Sequence, residues 1–194
     1  MKAFAKPGRE NSQEAIEIAV RVAKEKGLDI LMASTRGLSI PLVLDEAKKQ
    51  GYTGKITAVA HAYGYGDRNT FEIADDYKKE LEDKGVRFVI GTHALSAGER
   101  GMSRVFKGMY PLEIVATTLR MFGQGMKVCC EIAVMAADQG AVKEAEPIMC
   151  LAGTAGGEDT VAIVTPATSN RLLEMKVNEV LAKPSLYVPV VEDK

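Results

Sequence analysis

Short apolar runs alternate with longer amphipathic segments along this chain of 194 residues. We predict strands at five apolar runs, which cover residues 28–33, 55–61, 86–91, 146–153 and 159–166. Apolar residues at helical spacing predict helices at 11–26, 38–50, 70–84, 111–122, 125–139 and 168–182. Strands that alternate with helices are typical of α/β proteins, so we expect a mostly parallel sheet with helices on both faces, in three α/β/α layers.

Three segments depart from this alternation. The connection GTAGGE between the fourth and fifth strands is too short for a parallel crossover, so the fifth strand is expected to run antiparallel to the fourth. Residues 91–110 show no clear periodicity and are predicted to form a long loop, a kind of segment that usually has a function or is mobile. Residues 185–192 are predicted to form a short extended tail.

The composition is that of an ordinary globular protein, with 46% hydrophobic and 26% charged residues. A chain of this length suits one domain, which we expect to cover residues 1–194. The net charge of −1 excludes the basic excess that is typical of nucleic-acid-binding proteins. No apolar run approaches the ~20 residues of a membrane span, and the N-terminus lacks the apolar stretch of a signal peptide. We therefore expect a cytoplasmic protein that binds neither nucleic acid nor membrane.

The cysteines, Cys129, Cys130 and Cys150, are odd in number and lack the spacing of metal ligands. Two of them lie in the apolar run GMKVCCEIAVMAA, which is predicted to be helical. We predict that all three are small buried thiols in a reducing compartment, and we expect no metal site.

Polar side chains follow the first predicted strand at the point where it ends. They are Ser34, Thr35, Arg36 and Ser39, with Gly37 between them. The loop leads into a helix, whose free N–H groups and dipole favour an anion, and a guanidinium can grip a phosphate with two hydrogen bonds. Glycine removes the Cβ atom where the backbone must approach a ligand closely. The same residues are also compatible with a simple helix cap and a solvated arginine.

A glycine-rich loop follows the fourth predicted strand. It consists of Gly153, Thr154, Ala155, Gly156 and Gly157. Glycines directly after a buried strand can form a nest of N–H groups that holds an anion, or they can form a hairpin turn. The loop lacks the Gly-Lys-Ser/Thr ending of a P-loop and the glycine pattern of dinucleotide-binding proteins, so both interpretations remain open.

The two histidines, His61 and His93, come where the second and third predicted strands end. Both are therefore expected along the face where a ligand would bind. A histidine there can act as an acid or a base, or it can simply form a structural hydrogen bond. The acidic residues after the second strand are interpreted as a solvated helix face; they are Glu72, Asp75, Asp76, Glu80 and Glu82.

Two further pairs of residues are candidate ligand contacts. Arg100 and Arg104 lie in the predicted 91–110 loop, and they can cover a phosphate as part of a lid or belong to a charged surface loop. Tyr63 and Tyr65, separated by one glycine, can flank an aromatic ring such as a flavin or belong to a mobile turn.

The first loop and its framework resemble the C-terminal α/β domain of pyruvate kinase. The stretch EAIEIAVRVAKEKGLDILMASTRGLS is similar to the part of that domain in which a helix leads into a strand and then into a T-x-S-G-R-S loop. Ser34, Gly37 and Ser39 match the loop's first hydroxyl, its glycine and its last hydroxyl. The arginine after the family's glycine is Leu38 here, and Arg36 stands one residue before the glycine.

The second loop is similar to the family's G-x-x-x-G-S-G-x-T loop through Gly153, Gly157 and Thr160. The framework match covers most of the chain and leaves out residues 91–110. In many pyruvate kinases these two loops bind the phosphates of a sugar-bisphosphate effector. The catalytic (β/α)8 barrel of pyruvate kinase does not fit in 194 residues, so its phosphoryl transfer is not expected here.

The chain is most similar to free-standing, uncharacterised relatives of this domain, and that resemblance implies flavin mononucleotide (FMN) in the equivalent crevice. It also implies a five-stranded sheet in which the predicted strands have the order 3-2-1-4-5, with the last strand antiparallel. The first and fourth strands are neighbours in that order, so residues 34–39 and 153–157 are expected to share one crevice.

Three functions follow as hypotheses. The first is a small-molecule binding protein with a phosphate-anchored ligand, FMN. The second is an enzyme, either a flavin-dependent oxidoreductase or one that acts on a phosphorylated metabolite, with His61 and His93 as acid–base groups. The third is a non-catalytic regulatory module, because the related kinase domain senses an effector and makes subunit contacts, which also suggests a homo-oligomer.

Overall fold

The computed structural model describes residues 1–154 and 156–185. Within that part of the chain the strands are β1 (Lys2–Phe4), β2 (Ile30–Ala33), β3 (Ile56–His61), β4 (Val86–Gly91), β5 (Ile148–Ala152), β6 (Thr160–Thr165) and β7 (Lys176–Pro184). The α-helices there are α1 (Ser12–Lys26), α2 (Ile40–Gln50), α3 (Asp75–Asp83), α4 (Ala97–Phe106), α5 (Pro111–Arg120) and α6 (Gln124–Asp138). Short 3-10 turns lie at Arg9–Asn11 and Ser169–Glu174.

The strands of the described residues form one mixed sheet of seven strands in the order β1-β7-β6-β5-β2-β3-β4. Strands β2 to β5 are mutually parallel, β6 is antiparallel to both β5 and β7, and β1 is parallel to β7. The α/β class is therefore confirmed. The antiparallel pairing of β6 with β5, which the short connection predicts, is confirmed as well.

The prediction of a five-stranded sheet is wrong, because β7 and β1 extend the sheet beyond β6. The predicted helix at 168–182 is wrong for the same reason, since that segment is a 3-10 turn followed by β7. Residues 160–164 of β6 are buried, and β5 pairs with only one edge of this strand. The backbone N–H and C=O groups along the other edge therefore need a second partner strand. This long-range pairing overrides the local helical period. Of the predicted tail, residues 186–192 lie outside the described residues. The N–H of Ser185, its first residue, donates to the carbonyl oxygen of Phe4 at 2.7 Å.

Residues 97–106 form helix α4, so the predicted 91–110 loop is also wrong. The helix buries none of its side chains, and Gly98 and Gly101 interrupt the apolar pattern that a helix prediction needs. Its apolar side chains Val105 and Phe106 are 70% and 68% exposed. Contacts at its ends and along one side hold α4 in place, and the sequence pattern carries no signal for them.

The two faces of the sheet carry separate cores, which gives the predicted three layers. On one face, Ile30 and Met32 pack with α1, α2 and α3, while Leu31 between them points to the other face. Helix α6 covers that other face and buries nearly its whole length, including Cys129 and Cys130. All three cysteines are free and buried, as predicted, and burial raises the pKa of Cys130 to about 11.

A buried ion pair on α6 anchors the start of α4. Lys127 and Glu131 are only 4% and 5% exposed and are hydrogen-bonded to each other. Glu131 also accepts hydrogen bonds from the N–H of Leu95 at 3.0 Å and from the hydroxyl of Ser96 at 3.3 Å. Burial lowers the pKa of Lys127, while the Glu131 carboxylate opposes that shift.

We expect Glu131→Gln to lower the free energy of unfolding by about 3 kcal/mol, because it leaves the Lys127 ammonium buried without a counter-charge. Denaturant unfolding measures this change. Glu146→Gln is the matched control, since it removes one member of the exposed Lys143–Glu146 pair and should change stability by less than about 1 kcal/mol. Equal effects of the two substitutions would contradict the buried-pair account.

Candidate functional site

The loops that follow β2 and β5 leave the sheet side by side, because these strands are hydrogen-bonded neighbours in parallel. The expectation that the first and fourth predicted strands are neighbours is confirmed, since these strands are β2 and β5. The loops enclose a cavity of about 450 Å³ at the carboxyl ends of the parallel strands. In open α/β sheets this is the edge at which ligands bind.

The cavity gathers most of the predicted site residues that the structure describes. Its lining includes Ser34, Thr35, Arg36 and Ser39 from the first loop and Gly153, Gly156 and Gly157 from the second. Gly37 and Thr154 do not line it, and Ala155 lies outside the described residues. Leu38 also faces the cavity and is 63% exposed.

Gly37 serves the turn into α2, and its close approach to a ligand stays a prediction. Its φ of +77° is a conformation that residues with a side chain rarely adopt. A Cβ atom there would lie 3.0 Å from the ring of Tyr77 and 3.1 Å from both Ile73 and Leu81. The glycine therefore makes room for α3 and its preceding residues on the side away from the cavity.

The second loop is a hairpin between antiparallel strands, and its glycines have packing reasons. A Cβ atom on Gly153 would lie 1.8 Å from the carbonyl oxygen of Gly157, and one on Gly157 would lie 2.3 Å from the Cα of Arg9. The N–H of Thr154 donates to Asp159 Oδ2 at 3.2 Å. An internal carboxylate therefore already satisfies one of the donors that the sequence offers to an anion.

Ser39 points into the site and does not cap α2. Its side chain makes no capping hydrogen bond, although it stands at the N-cap position. Its hydroxyl donates to Glu158 Oε1 at 2.8 Å and lies 3.4 Å from the hydroxyl of Ser34. The helix-cap interpretation is therefore wrong for Ser39.

Glu158 is a buried carboxyl group in the wall of the cavity, and the sequence reasoning missed it. Its pKa is raised to about 7, mainly by burial and less by the neighbouring Asp159, while the hydrogen bond from Ser39 opposes the shift. Within the described residues its Oε2 atom has no hydrogen-bond partner. A buried oxygen without a partner in a cavity wall is a candidate contact for a ligand.

Arg9 also lines the cavity, and no sequence pattern indicates it. Its Nε donates to the carbonyl oxygen of Gly156 at 3.2 Å, across 147 positions of sequence. The N–H of Gly8 donates to Asp159 at 3.1 Å, and the N–H of Glu158 donates to the hydroxyl of Ser12 at 2.9 Å. These bonds tie the N-terminal segment to the second loop, and they bring Arg9 to the cavity that Arg36 also lines.

A smaller chamber of about 150 Å³ continues from the main cavity. The two share Ser34, Thr35 and His61 in their linings. The rings of His61 and His93 meet there with centroids 4.7 Å apart, and the ring of Tyr65 lies 4.1 Å from His61. Both histidines therefore lie at this edge of the sheet, as expected from their positions after the strands.

His61 links the main cavity to a carboxylate. Its Nδ1 is hydrogen-bonded to Glu72, and its Nε2 lies 3.4 Å from the hydroxyl of Thr35. The interpretation of Glu72 as part of a solvated helix face is wrong, because α3 begins only at Asp75 and the preceding segment folds back onto His61. A carboxylate on one ring nitrogen orients the imidazole and leaves the other nitrogen towards the cavity.

His93 is a neutral group in this chamber. Burial lowers its pKa to about 4, and the positive charges of Lys127 and Arg100 act in the same direction, while Glu131 opposes them. A histidine with this pKa can accept or donate a hydrogen bond through its two nitrogens, but it carries no charge at neutral pH.

The other candidate ligand contacts are divided between surfaces. Tyr65 and Arg100 line the chamber, whereas Tyr63 packs against Phe71 with ring centroids 4.9 Å apart. Arg104 lies farther out on α4.

In the described ranges, no three side chains among His, Cys, Asp and Glu are grouped as a metal site, and no helix is long and apolar enough to cross a membrane. No protein-family model matches the sequence.

We expect the stability of the protein to report the raised pKa of Glu158. Folding favours its protonated form, so this stabilisation is present at low pH and is lost as the pH rises through about 7. Glu158→Gln keeps a neutral side chain of the same shape. The free energy of unfolding of the variant, relative to wild type, should therefore rise by about 2 kcal/mol between pH 5 and pH 8.

Denaturant unfolding at the two pH values measures this difference. Glu174→Gln is the matched control, because it removes an exposed carboxylate outside the cavity and should change stability equally at both values. A Glu158→Gln variant that behaves like this control would contradict the raised pKa.

Proposed function

We propose that this protein binds a small molecule through a phosphate group in the cavity between the loops after β2 and β5, and that the molecule is FMN. The observation that carries the proposal is that Arg9 and Arg36 line the same cavity as the buried Glu158, whose Oε2 has no hydrogen-bond partner among the described residues. In keeping with its composition, we place the protein in the cytoplasm.

The two arginines supply charge that the described residues leave uncompensated. Neither Arg9 nor Arg36 forms an ion pair in the part of the chain that the structure describes, whereas other cations do, as in the Arg21–Glu25 and Lys84–Glu80 pairs. Guanidinium groups match phosphate oxygens in geometry and charge. The hydroxyls of Ser34 and Thr35 and the N-terminal end of α2 add donors at the same place.

Glu158 fits a phosphate only in its protonated form. A neutral carboxyl group can donate a hydrogen bond from Oε2 to a phosphate oxygen, whereas a carboxylate would repel it. Because its pKa is about 7, the group is substantially protonated at neutral pH. Phosphate binding is therefore expected to weaken as Glu158 ionises.

The chamber beside the cavity supports an aromatic ligand. It presents the rings of Tyr65, His61 and His93 next to the proposed phosphate position. The main cavity alone lies within the roughly 300–1,000 Å³ range of small-molecule sites. The choice of FMN among phosphorylated aromatic molecules rests on the resemblance to the free-standing relatives of the pyruvate kinase C-terminal domain.

Titration calorimetry with FMN tests this proposal. We expect binding that Arg36→Gln weakens about tenfold or more, because one charged hydrogen-bonding group to the phosphate is lost. Arg21→Gln, which removes an exposed arginine from α1, is the control and should bind as wild type does. A protein that is purified colourless and shows no heat with added FMN would refute FMN as the ligand.

An enzymatic function is the second candidate, and the Glu72–His61–Thr35 arrangement favours it. The Glu72 carboxylate orients the imidazole, and Nε2 faces the Thr35 hydroxyl at the cavity, which is the geometry of a general base. His61 would then move a proton on a molecule held by the phosphate site.

Incubation with a panel of phosphorylated metabolites, followed by NMR of the products, tests this function. Any turnover should fall by at least about 100-fold in His61→Gln and by less in Glu72→Gln, which still leaves the imidazole in place. Turnover that survives His61→Gln would remove His61 from the reaction, and a panel without turnover favours the binding function.

A further inference from the structure

Helices α4 and α5 enclose a second groove of about 390 Å³ on the side of the chamber away from the main cavity. Four cationic side chains line it, namely Arg100, Arg104, Lys107 and Arg120. The groove and the chamber share Ser96, Arg100 and Arg120 in their linings, so the groove leads towards His93. None of the functions considered above uses this groove.

The cations of the groove lack acidic partners. Over residues 1–154 and 156–185, none of the four lies within ion-pair distance of a carboxylate. Their observed hydrogen bonds go to neutral groups, from Arg120 Nε to Gln124 at 2.8 Å and from Lys107 Nζ to the carbonyl oxygen of Arg104 at 3.1 Å. The four positive charges of the groove therefore outnumber the one carboxylate in its lining, that of Glu113.

The acidic side chains nearby are already engaged in holding the helices. Glu113, the acid in the lining, accepts a hydrogen bond from the hydroxyl of Ser103 at 2.9 Å. Glu99 Oε2 accepts the N–H groups of Leu112 and Glu113 at 2.8 and 3.1 Å, so it occupies the N-terminal end of α5. These bonds join α4 to α5, and Glu131 fixes the start of α4, so the walls of the groove are held before any ligand arrives.

We propose that the groove between α4 and α5 is a second anion-binding site, which takes the phosphate or pyrophosphate group of a small molecule. This site is separate from the proposed FMN phosphate site, and its existence does not depend on FMN binding.

The same phosphate chemistry occurs in lipid headgroups, and the outer surface of α4 gives a reason to consider them. Met102, Val105 and Phe106 are exposed along this helix, and the exposed Met109 lines the groove. A basic helix with an exposed apolar face can lie on an anionic bilayer. The experiment therefore has a soluble arm and a vesicle arm.

In the soluble arm, inorganic pyrophosphate is titrated into the full-length protein and followed by amide NMR. Gly108 lies in the groove and Gly156 lies in the main cavity, so their N–H signals report the two sites separately. We expect the Gly108 signal to titrate and its apparent affinity to fall about tenfold or more in Arg104→Gln. Arg36→Gln should leave the Gly108 titration unchanged and weaken only the response of Gly156.

Lys48→Gln is the control variant, because it removes an exposed cation from the end of α2, away from the groove. Arg104 is itself exposed, so its substitution should leave the fold intact, and Lys107→Gln repeats the test at a second exposed position. Equal Gly108 affinities in Arg104→Gln and Lys48→Gln would overturn the proposal. If only the Gly156 signal responds in the wild type, and the protein does not bind vesicles through Arg104, the proposal is overturned as well.

In the vesicle arm, the protein is sedimented with phosphatidylglycerol vesicles, with phosphatidylcholine vesicles as the neutral reference. Binding to the anionic vesicles that pyrophosphate displaces and that Arg104→Gln abolishes would identify a lipid headgroup as the source of the phosphate. Pyrophosphate binding at Gly108 without sedimentation would identify a soluble molecule. Sedimentation that Arg104→Gln does not change would show that the apolar face acts alone, and it would count against the groove as the site.

If FMN fails to bind while the Gly108 signal titrates, the proposed FMN-binding function fails and the proposed second anion site stands.

Discussion

Strands β2 and β5 pair in parallel, with Ile30 opposite Met149 and Met32 opposite Leu151, and the candidate site is built on this pairing. Both strands are buried on both faces, so a slip of one residue would turn every side chain towards the wrong core. The register thereby fixes where each chain leaves the sheet. Ser34 and Gly153 begin the two loops, and the hydrogen bond from Ser39 to Glu158 joins these loops across 119 positions of sequence.

The electrostatics of this edge of the sheet follow one pattern. Carboxylates that face it are used internally: Asp159 accepts loop N–H groups, Glu72 orients His61, and Glu131 pairs with Lys127. The guanidinium groups that face it are left without acids in the described residues. Glu158 completes the pattern, since burial raises its pKa to about 7 and so favours its neutral form. The edge therefore presents hydrogen-bond donors and positive charge to a bound molecule, as an anion requires.

The parts of the fold that local patterns specify were predictable from the sequence. The apolar runs of β2 to β6 and the amphipathic periods of α1 and α2 follow from burial alone, and they suffice to place the first loop at a sheet edge. Strand β7 and helix α4 were not predictable. The first exists because β6 needs a partner, and the second is held by hydrogen bonds that backbone N–H groups donate to Glu131 and Glu99, which no local window contains.

The candidate site was predictable in outline for the same reason. Hydroxyls and glycines after two neighbouring strands indicate the cavity, but Arg9 reaches the cavity, and Glu72 reaches His61, through contacts over long or irregular stretches of chain. The glycines of the two loops also allowed two physical explanations, the approach of a ligand and the packing of the protein itself. Gly37 and Gly157 are required by packing against Tyr77 and Arg9, so their presence in the loops reports the shape of the protein as much as the approach of a ligand.

The central claim is that a phosphate group sits between the loops after β2 and β5. A crystal structure of the protein grown with FMN tests it directly, because the phosphorus atom is a strong and compact feature in difference density. The account predicts the phosphate within hydrogen-bond distance of the Arg36 guanidinium and of Glu158 Oε2, with the ring system extending towards His61. Density for the phosphate only in the groove between α4 and α5, with a main cavity that stays filled with solvent, would contradict it.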